Sequence, residues 1–226
     1  MKNLFALATL SSLLVYLPNA EASIVNGDFA TCDFSGWQQD TDGLGAPGNT
    51  ADFTIANDAG NCSANIMVDD MTTSTAFYAN TLFTGLDLSA SENDLTLSFD
   101  WTFSGTDGDA QAGDYFSVYL SDGSGAPFNA QGMPGYLIDP VSSYGSDSFT
   151  AVLDSSLYTM SNWTLEFQLF DAFSPTDEPL MSVLNIDNVQ LTAQAVAVSA
   201  PATGILASLC TLAALRRRTN KPAAQE

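Results

Sequence analysis

Residues 95–103 read Leu-Thr-Leu-Ser-Phe-Asp-Trp-Thr-Phe, with an apolar side chain at every odd position and a polar one at every even position. Such alternation is typical of a β-strand with one buried face. The same period returns at residues 116–120, 149–153 and 163–169. Turn-forming residues separate these runs, and no helical period is sustained between residues 23 and 194. The pattern predicts an all-β fold, one antiparallel β-sandwich of about eight to ten strands.

The last predicted strand contains an irregularity. Leu184 and Ile186 share one face, and Val189 and Leu191 resume that face only if residues 187–188 form a β-bulge. Weaker alternation predicts three further strands, at residues 24–29, 53–56 and 77–83.

Both ends of the chain predict export across a membrane. Residues 1–22 have the order of a signal peptide, which implies the Sec translocon and signal peptidase as partners. A buried N-terminal helix is the alternative. Residues 195–226 form a tail, in which the apolar stretch 202–215 predicts a transmembrane helix and three arginines follow it. A terminal helix of the globular domain is the alternative here. The ectodomain then spans residues 23–194.

Charge in this ectodomain is of one sign. The five basic residues all lie before residue 3 or after residue 215, and 24 of the 26 acidic residues lie between residues 23 and 200. Salt bridges within the ectodomain are therefore impossible, and nucleic acid is excluded as a partner because phosphates need Lys or Arg. Screening by salt or binding of divalent cations would relieve the repulsion between carboxylates. Simple solubility in a salty medium and specific metal binding both stay open.

Two cysteines, Cys32 and Cys62, lie in the exported region, where disulfides persist. We expect them to pair. The third, Cys210, lies in the apolar tail.

The inventory of catalytic residues is poor. The chain has no histidine, which excludes triads with a histidine base, and no ectodomain lysine for amine chemistry. Zinc is excluded by the lack of histidine and of free exported cysteines. Glycoside hydrolysis remains a remote alternative, since it needs two carboxylates. The ectodomain has only Glu92, Glu166 and Glu178 as glutamates, without a clustered motif. We therefore expect a protein that is not an enzyme.

The tail resembles a PEP-CTERM sorting signal. Ser199, Ala200 and Pro201 stand where Pro-Glu-Pro is usual, and the short apolar helix and Arg216, Arg217 and Arg218 complete the three-part pattern. The resemblance covers about the last 30 residues. It implies processing by an exosortase in a Gram-negative bacterium that makes extracellular polysaccharide, and hence a transient membrane anchor followed by a cell-surface, extracellular or biofilm location.

The ectodomain resembles jelly-roll, galactose-binding-like carbohydrate-binding modules. Residues 25–29, Val-Asn-Gly-Asp-Phe, followed by Ser-Gly-Trp at 35–37, look like the opening of such modules, and residues 185–191 look like their last strand. The resemblance implies that these two strands meet, with a structural calcium between them that Asp28 and Asp187 would help to hold. The glutamate usual in that family is replaced by Ala30. The alternative is that Asp187 and Asn188 cap a turn.

A second acidic stretch comprises residues 107–109 and Asp114. It lacks the spacing of a calcium-binding EF-hand loop, so we interpret it as a solvated loop. Trp37 is interpreted as a core residue close to the disulfide.

The period-two pattern also predicts a polar strand face. If Trp101, Phe116 and Val118 face the core, the alternate positions face the other way and form a ligand face that could stack and hydrogen-bond a sugar. An ordinary wet face is the alternative. The candidate residues are Asp100, Tyr115, Tyr119, Glu166 and Gln168.

Two classes of function remain. The first is a non-catalytic module that associates with exopolysaccharide. The second is a structural matrix or adhesion protein without a specific sugar site, crosslinked through divalent cations. The sequence alone does not separate them.

Overall fold

The computed structural model describes residues 23–41, 52–69, 78–88, 94–105, 114–159, 162–171 and 181–193. The predicted signal peptide, the sorting motif and the predicted helix at 202–215 lie outside these ranges. No helix within the described ranges is both long and apolar enough to cross a bilayer.

Ten strands lie in the described part of the chain. They are β1 Gln38–Thr41, β2 Phe53–Asp58, β3 Asn61–Asp69, β4 Tyr78–Leu86, β5 Leu95–Gly105, β6 Tyr115–Ser121, β7 Ile138–Val141, β8 Gly145–Val152, β9 Trp163–Asp171 and β10 Met181–Ala193. A 3₁₀ turn covers Ser155–Thr159.

The strands form two five-stranded sheets with antiparallel pairing throughout. The front sheet has the order β1-β4-β9-β6-β7, and the back sheet has the order β2-β3-β10-β5-β8. Strands β3 to β10 follow jelly-roll order, in which successive strands pass from one sheet to the other for most of the chain. The predicted antiparallel β-sandwich is confirmed.

The apolar positions of the alternating stretches meet between the two sheets. Leu97, Phe99 and Phe103 of β5 are fully buried, and so are Phe167 and Leu169 of β9. The partly buried Trp101 packs on Phe116, with ring centroids 4.8 Å apart. The core is therefore built from the positions that the period-two pattern predicts.

The predicted bulge in β10 is also confirmed. The register against β5 shifts between Asp187 and Gln190, and Asn188 has a positive φ of 53°. The shift returns Val189 to the core face, where it is 2% exposed. The bulge thereby keeps both halves of a 13-residue strand on the core.

The prediction of a strand at residues 24–29 is wrong. This segment is a series of tight turns, with positive φ at Asn26 and Phe29. The Asn26 side chain donates to the carbonyl of Asp33 and accepts from the backbone N–H of Thr31, so it satisfies groups that would otherwise need a sheet partner. The segment still meets the last strand, because the N–H of Val189 donates to the carbonyl of Gly27 over 2.8 Å.

Only glycine fits at position 27. A Cβ atom there would lie 1.9 Å from the carbonyl oxygen of Val189. The close approach of the N-terminal segment to the bulge therefore depends on the absence of a side chain.

Two further predictions concern the packing of this segment. Cys32 and Cys62 form a disulfide, as expected, and so tie the turns to β3. Trp37 is 7% exposed and stacks on Phe29 with ring centroids 5.2 Å apart, which confirms its place in the core. By the chain-entropy estimate, a disulfide that closes a loop of 30 residues adds about 3–4 kcal/mol to the free energy of unfolding.

The two faces of β9 provide a test of which side chains lie between the two sheets. Phe167 is fully buried and lies 5.0 Å from the ring of Phe99, whereas Phe170 faces away from the core. We expect Phe167→Ala to lower the free energy of unfolding by about 3–5 kcal/mol, because it opens a cavity between the sheets. Phe170→Ala removes the same atoms from the outward face and should cost only about 1 kcal/mol. Urea unfolding followed by tryptophan fluorescence measures both, and equal costs would contradict the assignment.

Candidate functional site

The outward face of the front sheet brings together four of the five predicted ligand-face residues. Its side chains come from four neighbouring strands, and we call this set the front face. It comprises Asp40 of β1, Thr81 and Phe83 of β4, Tyr115, Ser117 and Tyr119 of β6, and Glu166, Gln168 and Phe170 of β9.

Register places the front-face residues in cross-strand rows. Gln168 lies between Ser117 and Thr81, and the adjacent row has Glu166 opposite Tyr119. Because neighbouring strands lie about 4.8 Å apart, side chains in one row contact each other directly.

A hydrogen-bonded chain crosses this face. The hydroxyl of Tyr119 donates to Oε1 of Gln168 over 3.3 Å, and Nε2 of Gln168 donates to the hydroxyl of Thr81 over 3.1 Å. The Gln168 amide is thus held in a fixed orientation, in which its remaining N–H and lone pair can serve a ligand.

Aromatic rings lie at both ends of this polar centre. Tyr115 and Phe170 stack with ring centroids 4.6 Å apart and an interplanar angle of 17°. Tyr136, from the segment between β6 and β7, meets Tyr119 edge to face at 5.9 Å. Rings that flank fixed hydrogen-bonding groups suit a ligand with apolar faces and polar edges, such as a sugar.

The centre of the face is recessed. Tyr119 is only 9% exposed, although it points away from the core. Burial raises the pKa of its hydroxyl well above the ordinary value of 10.0, and the neighbouring Glu166 carboxylate raises it further, both by its charge and by a hydrogen bond. Asp40 and Tyr136 add smaller contributions in the same direction. Tyr119 is therefore a neutral hydroxyl at physiological pH.

One buried hydroxyl on this face is left unsatisfied. Ser117 is 1% exposed, and its Oγ has no hydrogen-bond partner among the described residues. Buried polar atoms in proteins are nearly always paired, so the Ser117 hydroxyl is one of the few exceptions among the described residues.

Asp100, the fifth predicted residue, does not join the other four. It lies on β5 in the back sheet, where it accepts hydrogen bonds from the Ser148 hydroxyl and from Nδ2 of Asn188. These bonds, that of Ser148 first, lower the pKa of Asp100. The prediction that it shares the ligand face is wrong, because alternation shows which side of a strand a residue occupies and not which sheet holds the strand.

The predicted calcium ligands lie near the contact between the N-terminal segment and the bulge. Asp28 accepts from the N–H of Ala30, and Asp187 accepts from Nδ2 of Asn61 and from the N–H of Asn188. In the described ranges no three His, Cys, Asp or Glu side chains are grouped closely enough to hold a metal. Carboxylates alone therefore do not make a calcium site here, and calcium at Asp28 and Asp187 stays a prediction.

Asp114 is buried, in contrast to the solvated loop that the sequence predicts for it. It is 4% exposed and accepts a 2.6 Å hydrogen bond from the hydroxyl of Ser182. Tyr144 bonds the same hydroxyl over 3.1 Å. Asp114 thus belongs to a polar network next to β10, and residues 107–109 lie outside the described ranges.

Two front-face aromatic residues, and Tyr136 beside that face, were missed from the sequence. Phe170 continues the polar face of β9 by one more step of the alternation, so extending that period would have found it. Phe83 lies on a strand whose two faces both carry apolar residues, and Tyr136 lies in a segment without a period. Their positions come from tertiary structure.

Comparison with known proteins gives only remote likeness. No protein-family model and no curated protein matches the chain. The solved structures that match include three small domains. The carbohydrate-binding module CBM27-1 of Caldicellulosiruptor saccharolyticus, solved with mannohexaose, is 14% identical over 78% of this chain and 98% of its own, with a TM-score of 0.44.

The other two are similar in extent. The K3 cleaved adhesin domain of Lys-gingipain from Porphyromonas gingivalis w83 is 17% identical over 76% of this chain and 100% of its own, with a TM-score of 0.44. The CBM22-2 xylan-binding domain of Paenibacillus barcinonensis Xyn10C is 13% identical over 74% and 98%, with a TM-score of 0.37. At these values the likeness assigns the chain to no family and to no ligand.

The raised pKa of Tyr119 predicts how stability falls at alkaline pH. Because the folded state keeps this hydroxyl protonated, its contribution is complete below the ordinary pKa of 10.0 and is lost as the pH rises further. At about one pH unit above that value, the free energy of unfolding of the wild type should be lower by roughly 1 kcal/mol. Tyr119→Phe has no ionisable group at this position, so its free energy of unfolding should fall less over the same pH range. Urea midpoints at neutral and alkaline pH test this, and an equal loss in both proteins would contradict it.

Proposed function

We propose that this chain is an exported, non-catalytic module that binds exopolysaccharide through the front face. The observation that carries the proposal is the oriented amide of Gln168, which lies between two aromatic pairs. A sugar hydroxyl would bond this amide, and the rings would cover the apolar faces of neighbouring sugar units.

The ends of the chain supply the location in this proposal. The signal peptide at 1–22 would deliver the protein through the Sec translocon, and the tail at 195–226 would anchor it until an exosortase cuts near Ser199, Ala200 and Pro201. The module would then lie at the cell surface or in the extracellular matrix, where exopolysaccharide is its neighbour. A secreted form that still carries Arg216, Arg217 and Arg218 would contradict this part.

Binding of the secreted protein to purified bacterial exopolysaccharides, in a pull-down or on a glycan array, tests the ligand. We expect Tyr119→Ala and Tyr115→Ala each to weaken binding by about tenfold or more, the usual effect of removing an aromatic ring at the centre of an interface. Asp100→Ala, in the back sheet, is the matched control and should bind like the wild type.

Three outcomes would count against the proposal. Equal losses in the Asp100→Ala control would place the site elsewhere, and release of reducing sugar from the polysaccharide would indicate an enzyme. Self-association with divalent cations, without binding to any glycan, would favour the structural matrix or adhesion protein. Melting temperatures of all variants show whether a loss of binding reflects unfolding.

A structural calcium at the junction of the first and last segments is a separate proposal. Most of its six to eight ligands would be backbone carbonyls, with Asp187 supplying a carboxylate oxygen and Asp28 either its backbone carbonyl or its carboxylate. We expect calcium to raise the melting temperature of the wild type and to leave that of Asp187→Asn unchanged, while magnesium does little in either. Identical melting curves for both proteins with and without calcium would leave Asp187 with its hydrogen bonds to Asn61 and Asn188 alone.

A further inference from the structure

The front face carries negative charge, in a part of the chain that contains no cationic residue. Glu166 and Asp40 both lie close enough to the Tyr119 hydroxyl to act on its ionisation. No Lys, Arg or His occurs between residues 23 and 200. Neutral donors are the only stabilising groups that the ectodomain offers its carboxylates, so a cation that pairs with this face would come from outside the ectodomain.

Glu166 retains the capacity to bind such a partner. One of its oxygens, Oε1, accepts a 2.7 Å hydrogen bond from the Thr164 hydroxyl. A carboxylate has about four acceptor positions, so this bond and the neighbouring Tyr119 hydroxyl leave room for further donors. Its half-buried position between the strands that carry Tyr119 and Phe83 places it within the row of front-face side chains.

The surroundings favour an organic ammonium group over a metal ion. Divalent cations need six or more oxygen ligands, and strand β4 separates Glu166 on β9 from Asp40 on β1, so the two carboxylates do not share one ion. An ammonium group needs only a few acceptors and is also attracted to aromatic rings, of which Tyr136 is only partly buried here.

We infer, on the basis of the proposed function, that the front face prefers polysaccharides whose sugars carry free amino groups. Glu166 sets this preference by pairing with the ammonium group, while Gln168 bonds the hydroxyls of the sugar. Polymers of uronic acids are rejected, because their carboxylates meet Glu166 and Asp40 without a cation to offset the repulsion.

The charge of the whole ectodomain works in the same direction. Its 24 carboxylates attract a cationic polymer over long distances and speed association, an effect that salt screens. This general attraction must be separated from a preference built into the site, so the experiment needs a control that removes the same charge from another face.

Three oligosaccharides of equal length form the probes, tested by calorimetry on the secreted protein at a mildly acidic pH. They are the β-1,4-linked hexamers of glucosamine, which is cationic, of N-acetylglucosamine, which is neutral, and of glucuronic acid, which is anionic. We expect the cationic hexamer to bind about tenfold tighter than the neutral one at low salt. The anionic hexamer should not bind.

Glu166→Gln should reduce the affinity for the cationic hexamer to within about threefold of the neutral one. Asp147→Asn removes one exposed carboxylate from the back sheet and should keep the preference. If both variants lose it equally, general attraction explains the result and the inference is overturned.

The failure of this inference differs from the failure of the proposed function. Equal binding of the cationic and neutral hexamers by the wild type, with both weakened by Tyr115→Ala, would overturn the charge preference and leave glycan binding on the front face intact. No binding of any hexamer or exopolysaccharide, or binding that is insensitive to Tyr115→Ala and Tyr119→Ala, would overturn both.

Discussion

Charge of a single sign is the constraint on which the rest of this structure depends. With no cation between residues 23 and 200, every carboxylate that the fold brings close to other groups must be stabilised by neutral donors. Asp33 accepts from the Thr31 hydroxyl and the Ser35 N–H, and Asp154 accepts from the N–H of Ser156. Both pKa values are lowered by these bonds. The abundance of serine, threonine and asparagine is thus a counterpart of the missing lysine and arginine.

The same solution reaches into the interior. Asp52 is 4% exposed and accepts from Nδ2 of Asn80, which also donates to the carbonyl of Met67. The neutral amide of Asn80 thus links the carboxylate of Asp52 to the backbone of β3, a role that an arginine could otherwise fill. Because such bonds are short-range and directional, they leave the packing between the sheets to apolar and aromatic side chains.

How much the sequence predicts depends on whether a feature is local. The alternation at residues 95–103 and 163–169, the bulge at Asp187 and the core position of Trp37 follow from local pattern and chemistry, and the structure confirms them. Strand β3 was missed because its inward positions include Cys62 and Ala64, which are too small to make the period evident.

Features that depend on the sheet order could not be predicted in this way. Asp100 and Tyr119 occupy equivalent positions in their own strands, yet the jelly-roll order places them on different sheets. The turns at 24–29 depend equally on a distant partner, since their conformation is stabilised by the bulge of β10. Local alternation therefore predicted four of the nine front-face residues but not the sheet order that brings the others to them.

The two outward faces show why polarity alone does not make a site. On the back sheet, Asn185 donates to Ser63 and Asn65, and Asp100 accepts from Ser148 and Asn188. A ligand there would have to replace good hydrogen bonds with others of similar strength and would gain little.

The front face differs in two respects that favour binding. Its Gln168 amide is held by Tyr119 and Thr81 yet keeps a donor and an acceptor position, and its rings lie beside the polar centre. A ligand that uses these positions need not displace an existing hydrogen bond. Because residues 23–200 contain no cation, the carboxylate of Glu166 also keeps acceptor positions that a ligand can use.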